Sequence, residues 1–370
     1  MPDSPFFDRL RAATNDLGGV HNAHLHLCRV YTHDALEPAG PASPAPRDKG
    51  HLALKEKHGL IRQLHETPSY APEVMRKRLD KAVEGLVAAG TRVADTVIDT
   101  TRDSLGLRGL EVATACAEDN AARLTLRLGA YNPLGFCDAD PARWTLFEEA
   151  AEQADFIGSL PETDDRADYP DRIGFDESCL RVVDLARRLG KFAHVHLDQR
   201  NTPDEGATER FVQLLRPMGP LSMPDGAPMI WAIHVISPST YDEGRFQSLL
   251  AEMHALNIGV VVCPSGALGM RQLRPKLTPT GNSIARVLDM LAMGIPVRMG
   301  CDNVADMLSP ATTLDLMDEV YLLAAALRFY DIDILAHLAA GVPLDAGRRD
   351  AVRDHLARER EAISQSLAGA

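Results

Sequence analysis

The hydrophobic positions of the chain follow two spacings, and each spacing predicts one kind of element. Short apolar or β-branched runs predict eight strands, at residues 20–27, 92–99, 123–132, 156–160, 192–197, 229–234, 259–263 and 296–300. Stretches with a helical apolar repeat and capping, Pro or Gly signals predict helices between many of these strands, at residues 72–90, 142–154, 176–190, 204–219, 244–257 and 282–294. Strands alternating with helices favour an α/β fold built as a (β/α)8 TIM-like barrel, with an open doubly wound sheet as the alternative.

The same pattern and one low-complexity patch predict the domain organisation. We expect a single domain over residues 1–370. The patch "PAGPASPAP" within residues 34–50 is too rich in Pro for a ladder or a helix, so it predicts a surface loop that could act as a lid. The end of the chain, "DAVRDHLAREREAISQSL", predicts a helical tail over about residues 344–370.

Composition and charge narrow the range of partners. Lysine and arginine number 39 against 52 acidic residues, so the formal net charge is −13, which argues against nucleic acid and anionic membrane surfaces. No apolar run is long enough to cross a bilayer. Six cysteines at scattered positions, without CxxC pairs, indicate reduced thiols and a cytoplasmic protein. We therefore expect a small-molecule substrate as the partner, with a homo-oligomer left open.

Histidine and aspartate side chains cluster at the predicted carboxyl ends of four strands. They are His24 and His26 on the first strand, His194 and His196 on the fifth, His234 on the sixth and Asp302 after the eighth. Alternate residues of a strand point to the same side, so His24 and His26 can face one metal ion inside a barrel mouth. Three imidazoles and one carboxylate suit Zn²⁺ or Fe²⁺, with a position left open for water.

Each of these residues alone would more often be structural, and their joint occurrence at strand ends is what favours a metal site. His194 and His21 are expected to pack in the core or to support a ligand, and Asp198 either orients an imidazole or touches substrate. A metal at this place lowers the pKa of water to about 7. Asp302 can then ligate and also accept the water proton, while His234 polarises the substrate or stabilises the developing oxyanion.

These motifs resemble the amidohydrolase superfamily, and within it the cytosine deaminase-like branch, over about residues 20–342. The family signature of HxH, His, His and Asp falls on His24, His26, His196, His234 and Asp302. The segments "HLHL", "HVHLDQ" and "GCDNV" resemble the family's corresponding segments. The resemblance implies a mononuclear metal hydrolase of barrel fold that acts on a small nitrogenous ring. No lysine ends the fourth strand, so a bridged pair of metals is disfavoured.

Three departures from the family change the expected substrate. Gln199 stands where the family has a proton-shuttling glutamate, Pro133 where it has a substrate-binding glutamine, and Asn303 where it has a second aspartate. Cytosine itself is therefore not the expected substrate. The predicted substrate-binding residues are Gln199, Asn303, Asn132 and Glu162. The β-sandwich that the family usually carries is expected to be largely absent.

Two mechanisms stay open for a hydrolase of C–N bonds. In one, ammonia is displaced and another acid replaces the missing glutamate; Glu162 is the candidate unless it belongs to a solvated acidic loop. In the other, the substrate is a cyclic or linear amide and Asp302 serves as both base and acid. The alternatives are a catalytically inactive barrel that binds a small ligand, and a metal-dependent ester or phosphoester hydrolase. A phosphoester would require a basic pocket, and Arg200 is one of few arginines near the strand ends.

Overall fold

The computed structural model describes residues 4–36, 54–270 and 283–368. Within them, eight parallel strands form one sheet in which each strand pairs with the next along the chain. Their bounds are β1 Val20–Leu25, β2 Thr91–Asp99, β3 Thr125–Tyr131, β4 Phe156–Ser159, β5 Ala193–Leu197, β6 Ile230–His234, β7 Ile258–Val262 and β8 Val297–Met299. Strands covered on both faces are mostly apolar, and the sequences of β6 (IWAIH) and β7 (IGVVV) show this most clearly. The predicted α/β barrel is confirmed.

The first and last strands meet next to the predicted site and nearly close the barrel. The backbone N–H of Asp302 donates to the carbonyl of His24 at 2.9 Å, and the N–H of His26 donates to the carbonyl of Asp302 at 3.2 Å. A Cβ at Gly300 would lie 2.6 Å from the carbonyl oxygen of His24, so only glycine permits this approach. The closure therefore brings Asp302 beside both histidines of β1.

Aromatic rings fill the opposite, amino-terminal end of the barrel. The Phe156 and Phe192 rings stack with centroids 4.8 Å apart, and Trp231 lies nearby with 3% of its surface exposed. Each ring takes the space of a missing side chain: a Cβ at Gly129 would lie 2.4 Å from Phe156, and one at Gly259 would lie 2.5 Å from Trp231. This end of the barrel is therefore solid, and a ligand has to enter at the carboxyl ends of the strands.

Helices surround the sheet on its outer side. In the described chain they are α1 Pro5–Asp16, α2 Leu54–Gly59, α3 Ile61–His65, α4 Pro72–Ala88, α5 Arg108–Asn120, α6 Ala142–Gln153, α7 Phe175–Leu189, α8 Ala207–Leu215, α9 Glu243–Ala255, α10 Pro264–Gly269, α11 Val287–Met293, α12 Leu316–Leu327, α13 Ile332–Ala340 and α14 Ala346–Ala368. The prediction of a helix from residue 282 is wrong at its start, because residues 283–286 are not helical. Helices α12 and α13 were missed although Asp315 and Asp331 cap them.

Two further sequence predictions concern loops and the end of the chain. Of the predicted lid over residues 34–50, only residues 34–36 belong to the described chain, so the lid stays a prediction. The tail is helical, as α14, and of its described side chains only Val352 is buried. None of the helices in the described ranges has the length and apolar character needed to span a bilayer.

Candidate metal centre

Four buried side chains converge at the carboxyl ends of β1, β5 and β8. One ligand atom from each of His24, His26, His196 and Asp302 can be chosen so that all four lie within 4.8 Å of one another. Nε2 of His24 lies 3.1 Å from Nε2 of His196, and Nε2 of His26 lies 3.2 Å from Oδ1 of Asp302. Three imidazole nitrogens and one carboxylate oxygen at these separations fit the donor set of a mononuclear Zn²⁺ or Fe²⁺ site.

Hydrogen bonds behind the cluster orient two of the imidazoles. Nδ1 of His196 donates to the carbonyl of Ser159 at 2.8 Å. Nδ1 of His24 lies 3.3 Å from Nδ1 of His194. With a proton on each Nδ1, the lone pair of each Nε2 points into the cluster, as a metal ligand requires. Burial lowers the pKa of His24 and of His196 well below the usual range, so both imidazoles are neutral at physiological pH.

The carboxylate of Asp302 is held in its ionised form. Burial opposes ionisation, but the hydrogen bond from His26 and the neighbouring His234 outweigh it, and the pKa of Asp302 falls below its usual range. The backbone turns sharply at both catalytic candidates: φ is 59° at Asp302 and 79° at His234. Non-glycine residues rarely adopt positive φ, and such strain concentrates at functional sites. It ends each strand and leaves both side chains at the barrel mouth.

Three of the four candidate ligands, His26, His196 and Asp302, line a cavity at the barrel mouth. It encloses about 80 Å³, which gives room for roughly five waters and suits a small molecule. Nε2 of His234 lies 4.0 Å from Oδ2 of Asp302. Gln199 and Asn303 also line the cavity, and in the described structure Nε2 of Gln199 and Oδ1 of Asn303 are buried without a hydrogen-bond partner. Unpaired buried polar atoms are costly, so these atoms indicate where a ligand binds.

Two of the predicted substrate-binding residues lie elsewhere. Asn132 forms a turn: its Oδ1 accepts from the N–H of Leu134 at 3.0 Å, its Nδ2 donates to the carbonyl of Gly135 at 3.4 Å, and it is absent from the cavity lining. Glu162 is also outside the lining, and its loop is not the solvated acidic loop considered above. Burial, and then Glu205, raise the pKa of Glu162 well above its usual range.

Three residues whose role the sequence left open, Asp198, His21 and Arg200, form hydrogen bonds or ion pairs with other parts of the protein. The Asp198 carboxylate accepts from the N–H groups of Ala207 and Thr208, at 2.7 and 3.0 Å, and so caps the start of α8. Nε2 of His21 lies 3.0 Å from Oδ2 of Asp95 inside the barrel. Arg200 binds Asp168 at 3.0 Å and does not line the cavity.

The cavity is also lined by three basic residues that were not among the predicted site residues: Arg29, Lys57 and His58. Arg29 follows the HxH motif by three residues, which was a usable signal. Lys57 and His58 lie on α2, away from every strand end, so no local pattern connects them with the site.

The contact between His194 and His24 gives a first testable prediction. We expect His194→Phe to weaken Zn²⁺ binding about tenfold to a hundredfold, because His24 loses the acceptor that orients it. Competition against a chelating dye measures this affinity without any substrate. His254→Phe, at an exposed position of α9, is the matched control. His194→Gln keeps an acceptor and should recover part of the affinity. An unchanged affinity in His194→Phe would show that the contact does not support the ligand.

The chain was found to be similar to one protein by sequence and to several solved structures by fold. No protein-family model matches the chain. An uncharacterized protein from Haemophilus influenzae is 24% identical over 275 residues, which cover 74% of this chain and 91% of the relative. That similarity covers about three quarters of the chain, and the name of the relative gives no activity.

Solved structures are similar over more of the chain. The 5-methylcytosine deaminase from Klebsiella pneumoniae has a TM-score of 0.72 and 21% identity, over 87% of this chain and 72% of the deaminase. The N-isopropylammelide isopropylaminohydrolase from Burkholderia multivorans has a TM-score of 0.63 and 19% identity, over 90% of this chain and 74% of the other. The atrazine chlorohydrolase from Arthrobacter aurescens, solved with zinc, has a TM-score of 0.54 and 16% identity, over 87% and 69%.

At these identities the comparison shows a shared fold. The chain therefore has the barrel fold of these deaminases and hydrolases.

Proposed function

We propose that the protein is a metal-dependent hydrolase that breaks a C–N bond in a small nitrogen heterocycle or cyclic amide. The observation that carries the proposal is the buried cluster of three histidines and Asp302, three members of which line the cavity. The structural neighbours support it, because two of them are a deaminase and an aminohydrolase. Cytosine is not the substrate we propose, since Gln199 replaces the family's glutamate.

One divalent ion, Zn²⁺ or Fe²⁺, would be held by His24, His26, His196 and Asp302. Bound there, the ion would supply Lewis acidity that lowers the pKa of water to about 7. The zinc in the Arthrobacter aurescens structure supports a metal of this type. The donor set alone does not favour zinc over iron.

Asp302 is the group that would move the proton. Its Oδ1 lies in the cluster, 3.2 Å from His26, while its Oδ2 lies 4.0 Å from His234. We assign Oδ2 to accept the proton of the attacking water and then to pass it to the leaving nitrogen. His234 lies next to the same oxygen. It would stabilise the negative charge that develops on the oxygen or ring nitrogen bonded to the attacked carbon.

The two amides of the cavity would hold the substrate. Nδ2 of Asn303 donates to Oδ1 of Asp302 at 3.2 Å, which leaves Oδ1 of Asn303 as an acceptor for a substrate N–H. Gln199 presents its amide to the same cavity and can hydrogen-bond a carbonyl or ring nitrogen. Unlike a carboxyl group, neither amide can transfer a proton.

Gln199→Glu tests what the missing acid does. We expect this variant to create or raise release of ammonia from amino-heterocycles by about a hundredfold, because it adds a general acid–base group at the cavity wall. Ammonia release by the metal-loaded protein is the measurement. Gln153→Glu, exposed at the end of α6, makes the same chemical change away from the site. If Gln199→Glu releases no more ammonia than the wild type, the missing shuttle is not what limits deamination.

A paired screen tests the proposal itself. Purified protein loaded with Zn²⁺ or Fe²⁺ is given amino-heterocycles and cyclic amides, and ammonia release is recorded beside ring opening. Hydrolysis that depends on the metal supports the proposal. Failure to bind a stoichiometric transition metal would overturn it and would favour an inactive barrel that binds a small ligand.

A cytoplasmic location remains part of the proposal. Its support is chemical: the six cysteines are unpaired in the structure, and five of them are buried. Reduced thiols of this kind are usual for cytosolic proteins.

A further inference from the structure

One wall of the cavity is basic although the whole chain is acidic. Arg29, Lys57 and His58 line it, and we call these three residues the basic wall. Among the described residues, the cavity lining contains one acidic side chain, Asp302, whose charge the proposed metal would offset. The formal charge of the chain is −13, so this local excess of basic groups is not a reflection of composition.

Arg29 faces the cavity with its counter-charge behind it. Its Nε and Nη2 donate to the two carboxylate oxygens of Asp99 at 3.0 and 2.9 Å. Asp99 is fully buried, is not part of the cavity lining, and also lies 3.1 Å from Nε2 of His65. The pair is therefore a fixed dipole whose positive end faces the cavity, and such a dipole attracts an anion without reorganising.

Lys57 is the cation that is available to a ligand. Its Nζ donates to the carbonyl of Leu308 at 3.3 Å, which leaves two of its three N–H groups. Within the described chain, Asp306 is the acidic residue whose charge acts on the pKa of Lys57, but it forms no ion pair with Lys57. Oδ1 of Asp306 instead accepts from the N–H groups of Leu308 and Ser309, both at 2.8 Å. Asp306 does not line the cavity, so this counter-charge also lies behind its cation.

His58 completes the basic wall as a neutral group. Burial, and then the charge of Arg29, lower the pKa of His58 to about 3. It can therefore donate or accept a hydrogen bond near neutral pH but adds no charge. The electrostatic preference of the wall comes from Lys57 and Arg29.

We propose that the substrate of this site carries a single negative charge, which binds Lys57 on the basic wall. The inference rests on the proposed function and deepens it, because it names an anionic heterocycle or cyclic amide as the substrate class. The charge can belong to a carboxylate substituent or to the deprotonated ring itself. Both present oxygen acceptors, and a charge-assisted hydrogen bond to an ammonium group is among the stronger polar contacts.

The geometry favours this class over phosphoesters. Phosphate recognition commonly uses the two-pronged face of an arginine. In Arg29 the side-on face of the guanidinium, formed by Nε and Nη2, is already bound to Asp99. Lys57 offers one point charge, which matches a singly charged oxygen group better than a phosphate dianion.

The test compares three ring compounds that differ in charge. Uracil is neutral at pH 7, orotate adds a carboxylate to the same ring, and barbiturate carries its charge on the ring. Binding to Zn²⁺-loaded protein is measured by calorimetry, without turnover. We expect at least one of the two anions to bind about tenfold to a hundredfold more tightly than uracil, the scale of one hydrogen bond to a charged group. Which anion it is identifies the source of the charge.

The substitutions then locate the effect. Lys57→Met is expected to reduce the affinity for the preferred anion to about that of uracil, and Lys57→Arg should retain most of the preference. Lys55→Met is the matched control, because Lys55 lies on the same helix but binds Asp168 and is outside the cavity lining. Arg29 is not substituted, since its loss would leave Asp99 as a buried, partly unpaired charge.

Several outcomes would overturn the inference. They are equal affinity for all three compounds, no measurable binding of either anion, and a preference that survives Lys57→Met. A repeat on metal-free protein removes direct coordination of the anion by the ion as an explanation. The binding test needs no turnover, so it is independent of the screen for hydrolysis. If the metal-loaded protein hydrolyses neutral rings only, the anionic substrate class is refuted and the proposed function stands.

Discussion

Asp302→Asn is expected to lower kcat about a thousandfold on any substrate that the screen identifies. The reason is that the amide cannot accept the water proton or return it to the leaving nitrogen, and loss of a general acid–base group costs about 10²- to 10⁴-fold. The effect should fall on kcat more than on KM, because Oδ2 of Asp302 acts on the reacting atoms rather than on the bound ring. Steady-state kinetics on the metal-loaded variant measure it.

Asp302 is both a candidate metal ligand and the proposed base. The metal content of the same samples must therefore be measured. Its Oδ1 belongs to the ligand cluster, so a weaker affinity for the ion could by itself reduce activity. Assays at saturating Zn²⁺ separate the two effects. Asp350→Asn, on the exposed face of α14, makes the same chemical change far from the cluster. Activity near that of the wild type in Asp302→Asn would rule out its role in proton transfer.

Removal of the metal is expected to destabilise the barrel measurably. At a free metal concentration a thousandfold above Kd, binding stabilises the folded state by about 4 kcal/mol, which disappears on chelation. The candidate ligands lie on β1, on β5 and in the segment after β8, so an ion held by them would link the two strands that close the barrel to β5. The measurement is the melting temperature with added Zn²⁺ and after dialysis against a chelator.

Two variants show whether this stabilisation comes from the cluster. His196→Ala should remove most of the metal-dependent change in melting temperature, because it deletes a ligand atom. His254→Ala changes an exposed histidine of α9 and should preserve the change in full. A melting temperature that is the same with and without metal in the wild type would contradict a structural contribution of the ion.

The barrel and the convergence of the candidate metal ligands were predictable because both depend on local patterns in the sequence. A strand buried on both faces is mostly apolar, so β6 and β7 were recognisable from short runs. His24 and His26 are two residues apart on one strand, so they share a face. His196 could be told from His194 only through the family resemblance, because both have the same spacing. The structure separates them: His196 faces the cluster and His194 lies behind His24.

The substrate side of the cavity was much less predictable. Asn132 follows β3 as the pattern requires, but its amide is used by the turn around Gly135. Glu162 lies three residues after the end of β4, yet burial and Glu205, a residue from another loop, raise its pKa. Lys57 reaches the cavity from a short helix outside the strand pattern. These positions depend on how loops of different strands pack together, which no local spacing records.

The aromatic rings at the amino-terminal end of the barrel have a consequence for substrate entry and product release. In the described structure Phe156, Phe192 and Trp231 fill that end, so in the proposed reaction the substrate, the water and both products would pass the carboxyl ends of the strands. Lys57 lines the cavity at those ends. For the anionic substrate proposed above, a product that kept the negative charge would also bind this lysine and would therefore leave more slowly than a neutral one.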